Sequence, residues 1–215
     1  MFYETIANRH GLRHDPFKAL VVPRPIGWIS TVSAAGICNI APYSFFNAVG
    51  ESPHFVLFSS SGPKDSLLNI AETGEFVCSL ATFPLRFNMN MTSAPVPRGV
   101  DEFAIGDLVA APSRLVKPPR VKESPAALEC KHWKTVELPP PANGKAANFV
   151  VFGQVIGIYI DDAFIVDGRV DTGAMRPIAR LGYMDYAVVT PEAVFSIERP
   201  SAEEAMAPLR AKAAL

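Results

Sequence analysis

A serine-rich segment between a predicted strand and a predicted helix is the part of the sequence best suited to bind a charged ligand. It reads Ser59-Ser60-Ser61-Gly62-Pro63-Lys64-Asp65-Ser66. Backbone N–H groups at the start of a helix attract anions, and the hydroxyls and the Lys64 ammonium would add to that attraction. The segment therefore predicts a phosphate site. An ordinary serine-rich turn followed by a capped helix fits the same eight residues, and that alternative stays open.

A second polar region precedes this segment. It runs from Arg24 to Val49 and contains a strand, a turn at Gly36 and a further element rich in hydroxyl and amide side chains. Such a hairpin can hydrogen-bond the edge of a planar heterocycle, and Trp28, Phe45 and Phe46 can pack on its ring. The same three aromatic residues would equally suit the core of a small barrel.

Sequence signatures of several enzyme classes are absent. The chain contains no GxGxxG, GxxxxGK[ST], HExxH, GxSxG or paired CxxC motif. His10 and His14 are four residues apart, but Gly11 and Asp15-Pro16 disfavour a helix there, so a loop is favoured over a metal site. We expect no catalytic side chain and no bound metal.

Length and composition favour one domain that binds a small molecule. The chain has 215 residues, 20 Lys plus Arg against 21 Asp plus Glu, and a formal charge of −1. This balance gives no electrostatic basis for binding nucleic acid or an anionic membrane. Three widely spaced cysteines favour a reducing compartment. No apolar stretch is long enough for a signal peptide or a membrane span, so we expect a cytoplasmic protein.

The elements that must position these residues are predicted to be mostly β-strands. Twenty prolines and fourteen glycines leave little room for long helices. Enrichment in β-branched and aromatic residues predicts strands, arranged as a barrel or sandwich, over residues 19–22, 26–33, 44–49, 55–60, 76–80, 127–137, 148–160 and 163–166. Within residues 149–160 nearly every position is apolar, so both faces should be covered, one of them by a second subunit. Gly153 and Gly157 are expected to share a face.

Few helices are predicted. The clearest starts with Asp65 or Ser66 as N-cap and ends at Gly74. Residues 83–91 can form a second helix and residues 101–103 a short turn, whereas 138–145 form a loop between paired strands. We expect one domain over residues 1–198 and a C-terminal tail over 199–215 that is helical only where it docks.

The order of several segments resembles one protein family. The segments are RPIGWISTVSAAGICNIAPYSFFNAVGESPHFVLFSS, KDSLLNIAETGEFVCSLAT, ECKHW, FVVFGQVIGIYID, GRVD and PIARLGYMDYAVV. In this order they resemble the flavin reductase-like proteins. The resemblance implies a mainly β fold, namely an FMN-binding split β-barrel of Greek-key type with a few short helices.

The resemblance also implies a site. It implies a homodimer with one FMN per subunit near the interface, with Ser44 and Asn47 as polar contacts to the flavin. Residues 28–31 and 41–47 would line the isoalloxazine and ribityl chain, while the serine-rich segment would hold the phosphate. Gly182 is followed here by Tyr183, where the family often has a second glycine. The residues assigned to FMN are Trp28, Ile29, Ser30, Thr31, Ala41, Pro42, Ser44, Phe45, Asn47, Ser59, Ser60, Lys64, Asp65, Ser66 and Arg180.

The activity that the resemblance implies is NAD(P)H-dependent flavin reduction. Hydride would pass from a transiently bound nicotinamide to flavin N5, and electrons would continue to free flavin, a partner monooxygenase, ferric iron or O2. Two alternatives stay open. One is an FMN-binding electron carrier, or a flavin-dependent enzyme acting on a small organic substrate without NAD(P)H. The other is a β-barrel binding module without a redox role.

Overall fold

The strands of the protein confirm the mainly β prediction. The structure, a computed structural model, describes residues 1–140 and 144–213, and for 208–213 it describes the backbone alone. The strands are β1 (Arg24–Pro25), β2 (Gly27–Val32), β3 (Cys38–Tyr43), β4 (Phe46–Glu51), β5 (His54–Ser61), β6 (Glu75–Leu80), β7 (Ala110–Ala111), β8 (Arg120–Val121), β9 (Ala126–Glu137), β10 (Asn148–Ile160), β11 (Ile165–Val166), β12 (Arg169–Val170), β13 (Ile178–Arg180) and β14 (Tyr186–Val188).

Helices are short, as expected from the spacing of proline and glycine. They are α1 (Phe17–Leu20), α2 (Asp65–Thr73), α3 (Arg86–Met91), α4 (Glu102–Ile105), α5 (Thr172–Met175) and α6 (Ala202–Ala213). Two 3-10 turns lie at Asp162–Phe164 and Pro191–Ala193. None of the helices in the described ranges has the length and apolar character that a membrane-spanning segment needs.

Seven antiparallel strands form the main sheet, in the order β3-β2-β6-β9-β10-β5-β4. The β2–β3 hairpin predicted across Gly36 therefore forms one end of this order, and the β4–β5 hairpin forms the other. A small sheet of β1, β13 and β14 lies beside it. This arrangement places the ends of β3 and β5 near the start of α2, which is where the serine-rich segment lies.

Strand alternation divides the apolar residues of β2 between two cores. Ile29 packs with Phe58, Phe76 and Val151 in one cluster, whereas Trp28 belongs to a second cluster on the other face. Helix α2 adds Leu67 and Ile70 to the first cluster. Burial of each such side chain stabilises the fold by about 1.5 to 3 kcal/mol, which fixes α2 against the sheet.

Helix α2 confirms the predicted helix and corrects its start. The N-cap is Lys64, in extended conformation and without a side-chain capping bond, so Asp65 is the first helical residue. Ser66 does not cap because its Oγ donates to Asn39 Oδ1 at 2.9 Å. Gly74 ends the helix as predicted, with φ of 72° and its N–H bonded to the Ile70 carbonyl.

Two predicted strands differ from the structure. Residues 19–22 do not form a strand, because the chain enters helix α1 after Pro16, with the Ala19 N–H bonded to the Pro16 carbonyl. Proline suits the start of a helix, and this local signal outweighs the β-branched Val21 and Val22. Of residues 163–166 only Ile165–Val166 is a strand, because a 3-10 turn occupies Asp162–Phe164.

Two β-bulges interrupt the pairing of β9 with β10. One lies beside Phe152 and Gly153 and has its extra residue, Trp133, in β9, and the other lies between Val155 and Gly157. The second inserts a residue into β10, so Gly153 and Gly157 lie on opposite faces and the shared-face prediction is wrong. A Cβ at Gly153 would come within 2.2 Å of the Phe76 ring, whereas one at Gly157 would contact Leu115 at 3.2 Å. Gly153 is therefore required where the core ring crosses the strand.

The connection between β9 and β10 and the C-terminal tail complete the comparison with the predicted elements. The two strands pair as expected, but the predicted loop over residues 138–145 includes residues 141–143, which lie outside the described residues.

In the C-terminal tail, Ser201 and Glu204 form a reciprocal capping box, with bonds of 2.7 and 3.2 Å, that starts α6. Residues 202–207 are exposed. The helix therefore has a local start signal that does not depend on docking.

Candidate functional site

A cavity of about 530 Å³ lies where β3, β5 and the start of α2 meet. Its volume is within the range of small-molecule sites. The segment that follows α3 forms the opposite wall, and α1 and α4 contribute one residue each. The lining residues are Lys18, Asn39, Ala41, Pro42, Tyr43, Ser44, Phe45, Ser59, Ser61, Lys64, Asp65, Ser66, Thr92, Ser93, Ala94, Pro95, Val96, Arg98 and Glu102.

The start of α2 brings positive charge and free backbone donors to this cavity. Lys64 lines the wall, and no side chain caps the first turn. The N–H groups of a first helical turn have no partner within the helix, and the helix dipole adds partial positive charge there. Asp65 lies in the same turn and approaches Arg98, with 3.9 Å between Oδ1 and Nη1. Arg98 thus offsets part of the negative charge at a wall suited to an anion.

A network of buried amide and hydroxyl groups lies behind the wall. Asn39 Oδ1 accepts from Thr31 Oγ1 at 3.1 Å and from Ser66 Oγ at 2.9 Å. Asn69 Nδ2 donates to Thr31 Oγ1 at 3.1 Å, and Asn39 Nδ2 donates to Glu102 Oε2. All five residues are buried. The network fixes α2 and α4 to the hairpin β2–β3, because buried polar groups are costly to leave unpaired.

Glu102 is a buried carboxyl group with one oxygen left for the cavity. The side chain lines the cavity, and the residue is 7% exposed. Oε2 accepts from the Ile40 N–H at 2.8 Å and from Asn39, whereas no described residue hydrogen-bonds Oε1. Burial raises the pKa of Glu102 to about 7, Asp65 and Asp101 add to the rise, and the Ile40 N–H opposes it. Near neutral pH both protonation states of this carboxyl are therefore populated.

Tyr43 contributes a second polar atom without a partner. Its ring packs on Phe58, with 4.7 Å between the centroids, and its hydroxyl is buried without a hydrogen bond. Burial raises the pKa of Tyr43, and the nearby Ser66 and Ser60 side chains oppose this rise without forming a hydrogen bond of normal geometry. A buried polar group almost always has a partner, so this hydroxyl at the cavity wall is a candidate contact for a polar atom of a ligand.

Arg24 stabilises the fold and does not line the cavity. Its Nη groups donate to the carbonyl groups of Lys18, Val21 at 2.7 Å and Leu181 at 2.7 Å, and the residue is 5% exposed. These bonds fasten α1 to the turn after β13. Lys18 is thereby held at the cavity, with its ammonium 5.9 Å from the centroid of the Phe45 ring.

The structure brings eight of the fifteen residues assigned to FMN together around the cavity. These eight are Ala41, Pro42, Ser44, Phe45, Ser59, Lys64, Asp65 and Ser66. The other seven do not line it, namely Trp28, Ile29, Ser30, Thr31, Asn47, Ser60 and Arg180. A role for these seven in binding stays a prediction from the resemblance.

Five of the seven are buried in the protein. This agrees with the alternative, left open above, that the aromatic and serine residues belong to the core and to turns. Trp28 Nε1 donates to Thr92 Oγ1 at 2.9 Å, and Ile29 lies in the core. Ser30 Oγ donates to the carbonyl of Pro119 and Ser60 Oγ to that of Gly62, while Thr31 supports Asn39. The polar side-chain atoms of these residues are satisfied within the fold, and those of Trp28 and Thr31 support the lining residues Thr92 and Asn39.

Asn47 and Arg180 lie outside the cavity for different reasons. Asn47 is exposed on β4, and its Oδ1 accepts from the Ala48 N–H at 2.9 Å. Arg180 Nη2 donates to the Tyr183 carbonyl at 2.6 Å, and its guanidinium lies 4.4 Å from the centroid of the Tyr186 ring. Tyr183 has a φ of 56°, the left-handed region that glycine adopts readily.

Sequence reasoning missed several lining residues, chiefly Lys18, Asn39, Arg98 and Glu102, whereas Tyr43 lies within the predicted lining segment 41–47. Asn39 falls inside the predicted hairpin, so its amide could have been found there. Glu102 meets Asn39 across 63 positions of sequence. No local pattern connects residues so far apart, and only the fold brings them together.

Comparison with known proteins shows the class to which this fold and cavity belong. Residues 19–184 match the model of the flavin reductase like domain. The chain belongs to this family. A relative from Aquifex aeolicus, itself uncharacterised, is 38% identical over 169 residues, which are 76% of this chain and 83% of the relative.

Solved structures agree with the family. Nitrilotriacetate monooxygenase component B from Bacillus cereus superposes with a TM-score of 0.81 at 26% identity, covering 92% of this chain and 98% of that one. A 2-nitrobenzoate 2-nitroreductase from Pseudomonas fluorescens gives 0.79 at 26% identity, covering 94% and 100%. A Shewanella frigidimarina protein described as having a split barrel domain gives 0.73 at 22% identity, covering 86% and 89%. The predicted split β-barrel is confirmed.

The raised pKa of Glu102 predicts a pH-dependent stability. An unfolded glutamate loses its proton near pH ~4.3, whereas Glu102 in the folded protein keeps its proton up to about pH 7. This bound proton stabilises the folded state at low pH. The stabilisation is lost as the pH rises from ~4.3 through about 7. We expect Glu102→Gln to gain about 1 to 2 kcal/mol in unfolding free energy relative to wild type between pH 5 and pH 8, after allowance for solvent in the cavity.

Urea unfolding at several pH values measures this difference. Glu129→Gln is the matched control, because Glu129 is also buried but accepts the N–H groups of Arg114 and Leu115 outside the cavity. A constant difference between wild type and Glu102→Gln from pH 5 to pH 8 would contradict the assignment.

Proposed function

We propose that this chain binds FMN in the cavity and acts as an NAD(P)H-dependent flavin reductase. The observation that carries the proposal is the pairing, in one cavity, of an uncapped helix start beside Lys64 with the unpartnered buried hydroxyl of Tyr43. The first suits a phosphate, and the second suits a polar atom elsewhere on the same ligand. Membership of the flavin reductase-like family supports FMN as that ligand.

The residues present fit the two ends of FMN. Ser59, Lys64 and the backbone N–H of Ser66 would hold the phosphate, since the Ser66 hydroxyl already donates to Asn39, and Arg98 offsets the negative charge of Asp65. The wall formed by residues 41–45 would contact the isoalloxazine and ribityl chain. A cavity of about 530 Å³ is adequate for a ligand of this class.

Bound FMN would supply the redox chemistry, since it accepts hydride from a nicotinamide and passes electrons onward. The side chains of the chain bind and orient, and no acid–base pair is required of them. Ser44, which lines the cavity, is the candidate donor for the polar edge of the ring. Electrons would continue to free flavin, ferric iron, O2 or a partner oxygenase. The likeness to a monooxygenase component B supports the partner oxygenase among these acceptors.

A second candidate is reduction of a small organic substrate at the same cavity. The likeness to a 2-nitrobenzoate 2-nitroreductase, at a TM-score of 0.79, favours a nitroaromatic acid as such a substrate. Lys18 lines the cavity beside Phe45, and this pair of cation and ring suits an aromatic carboxylate.

Stopped-flow mixing of the FMN-loaded protein with NADH or NADPH under nitrogen tests the proposal. We expect the yellow flavin absorbance to bleach within seconds. Addition of a nitroaromatic acid or of free flavin to the reduced protein then separates the two candidates by the acceptor that restores the colour. Bound FMN that neither nicotinamide bleaches would favour an electron carrier, and a protein that takes up no FMN would favour the binding module.

Lys64→Ala tests the phosphate end. We expect the substitution to weaken FMN binding by about 1 to 3 kcal/mol, the range of a charge-assisted hydrogen bond. Fluorescence titration measures the affinity, and riboflavin, which has no phosphate, should bind both proteins alike. Lys134→Ala removes an exposed lysine outside the cavity and serves as control. Unchanged FMN affinity in Lys64→Ala would remove the phosphate assignment.

We also propose that two copies associate as a homodimer. Trp133 is 63% exposed, and it packs edge-on against Phe55 and Phe152, with ring centroids 5.5 and 6.0 Å apart. These three rings form an aromatic patch on the outside of β5, β9 and β10. A formal charge of −1 per chain gives little repulsion between copies, and exposed aromatic clusters of this kind favour burial in an interface.

Trp133→Glu tests the dimer. A carboxylate in the aromatic patch would be costly to bury, so the substitution should shift micromolar protein from dimer to monomer in sedimentation velocity. Val109→Glu, at a half-exposed position away from the patch, should leave the dimer intact. A monomeric wild type would contradict the proposal.

A further inference from the structure

Two carboxyl groups at the cavity have no role in the function proposed above. Glu102 and Asp65 both line the cavity to which a phosphate is assigned. Oε2 of Glu102 is committed to Asn39 and the Ile40 N–H, which fixes the carboxyl and leaves Oε1 as its free atom at the cavity. A fixed carboxylate beside an anion would repel it, and in a buried site this repulsion is poorly screened.

We propose that Glu102 is a ligand-binding group that takes up a proton from solvent when an anionic ligand enters the cavity, so that Oε1 donates a hydrogen bond to that ligand. The proposal rests on the assignment of FMN to this cavity. Protonation replaces a repulsive carboxylate by a neutral donor. It makes Glu102 a determinant of affinity for phosphate-bearing flavin over riboflavin.

Three charged side chains, Asp101, Asp65 and Arg98, lie near Glu102, and the two acidic ones favour its protonated form. Asp101 begins its own helix and accepts the Phe103 N–H, while Asp65 faces it from α2. Both carboxylates act on Glu102 in the direction of protonation. Arg98 is divided between Asp65 and Glu72, at 3.9 and 3.0 Å. Its charge is therefore already partly compensated before a ligand arrives.

Two lysines, a phenol and a thiol are the other ionisable side chains near Glu102. Lys18 and Lys64 line the cavity as cations and would attract the same ligand. Burial raises the pKa of the Tyr43 phenol and that of the Cys38 thiol, so both stay neutral when the pH is near 7. Burial raises the pKa of Glu102 to about 7, so a nearby anion need only raise this pKa further to cause proton uptake.

FMN titration between pH 7 and pH 9 tests the proposal, because the second ionisation of a phosphate near ~6 lies below this range. We expect the dissociation constant of the wild type to rise about tenfold from pH 7 to pH 9, and that of Glu102→Gln to stay within about twofold. Calorimetry at pH 8, in buffers of different ionisation enthalpy, should show substantial proton uptake per FMN in the wild type and none in Glu102→Gln.

Two controls make the result specific. Glu129→Gln applies the same substitution to a buried glutamate outside the cavity and should keep the wild-type pH dependence, and circular dichroism verifies that each variant is folded. Riboflavin should bind with little proton uptake. The same pH dependence in Glu102→Gln and wild type, or equal uptake with riboflavin and FMN, would overturn the role of Glu102. Absence of FMN binding by the wild type at every pH would overturn the proposed function as well.

Discussion

The cavity depends on one buried amide. Asn39 accepts from Thr31 and Ser66 and donates to Glu102, so a single side chain joins β2, β3, α2 and α4. Each of these bonds is shielded from water, where an unpaired polar group costs about 1 to 3 kcal/mol. The arrangement therefore tolerates little displacement of α2. The start of that helix, with Lys64 at the cavity, is held in position by hydrogen bonds behind it.

This geometry separates residues that line the cavity from residues that position the lining. Thr31 and Ser66 are only one hydrogen bond from Asn39, yet Ser66 lines the cavity and Thr31 does not. The same distinction applies to Trp28, which holds the end of α3 through Thr92. Polar side chains near a cavity therefore belong to two groups, which differ in whether they line the cavity and not in the residue that they hydrogen-bond.

Sequence patterns predicted the long elements, and they pointed to the segment at the start of α2 that lines the cavity, because their signals are local. Strand β10 is encoded by thirteen residues rich in β-branched and aromatic side chains, and α2 by its apolar spacing and Gly74. The serine-rich segment likewise reaches the cavity through Ser59, Lys64 and Ser66. The bulges between β9 and β10 were not predictable, because each depends on how the two strands pair. Glu102 was missed because its contact with Asn39 is made by the tertiary fold alone.

The wall that follows α3 has a further consequence for how this protein family can diversify. Thr92 is buried and bonded to Trp28, and Arg98 is tied to Glu72, so both ends of the wall are anchored. Residues 93–97 between these anchors are mostly exposed. Exchanges among them can reshape the mouth of the cavity without disturbing either core. Evolution can thus alter which molecules are admitted while the barrel stays unchanged.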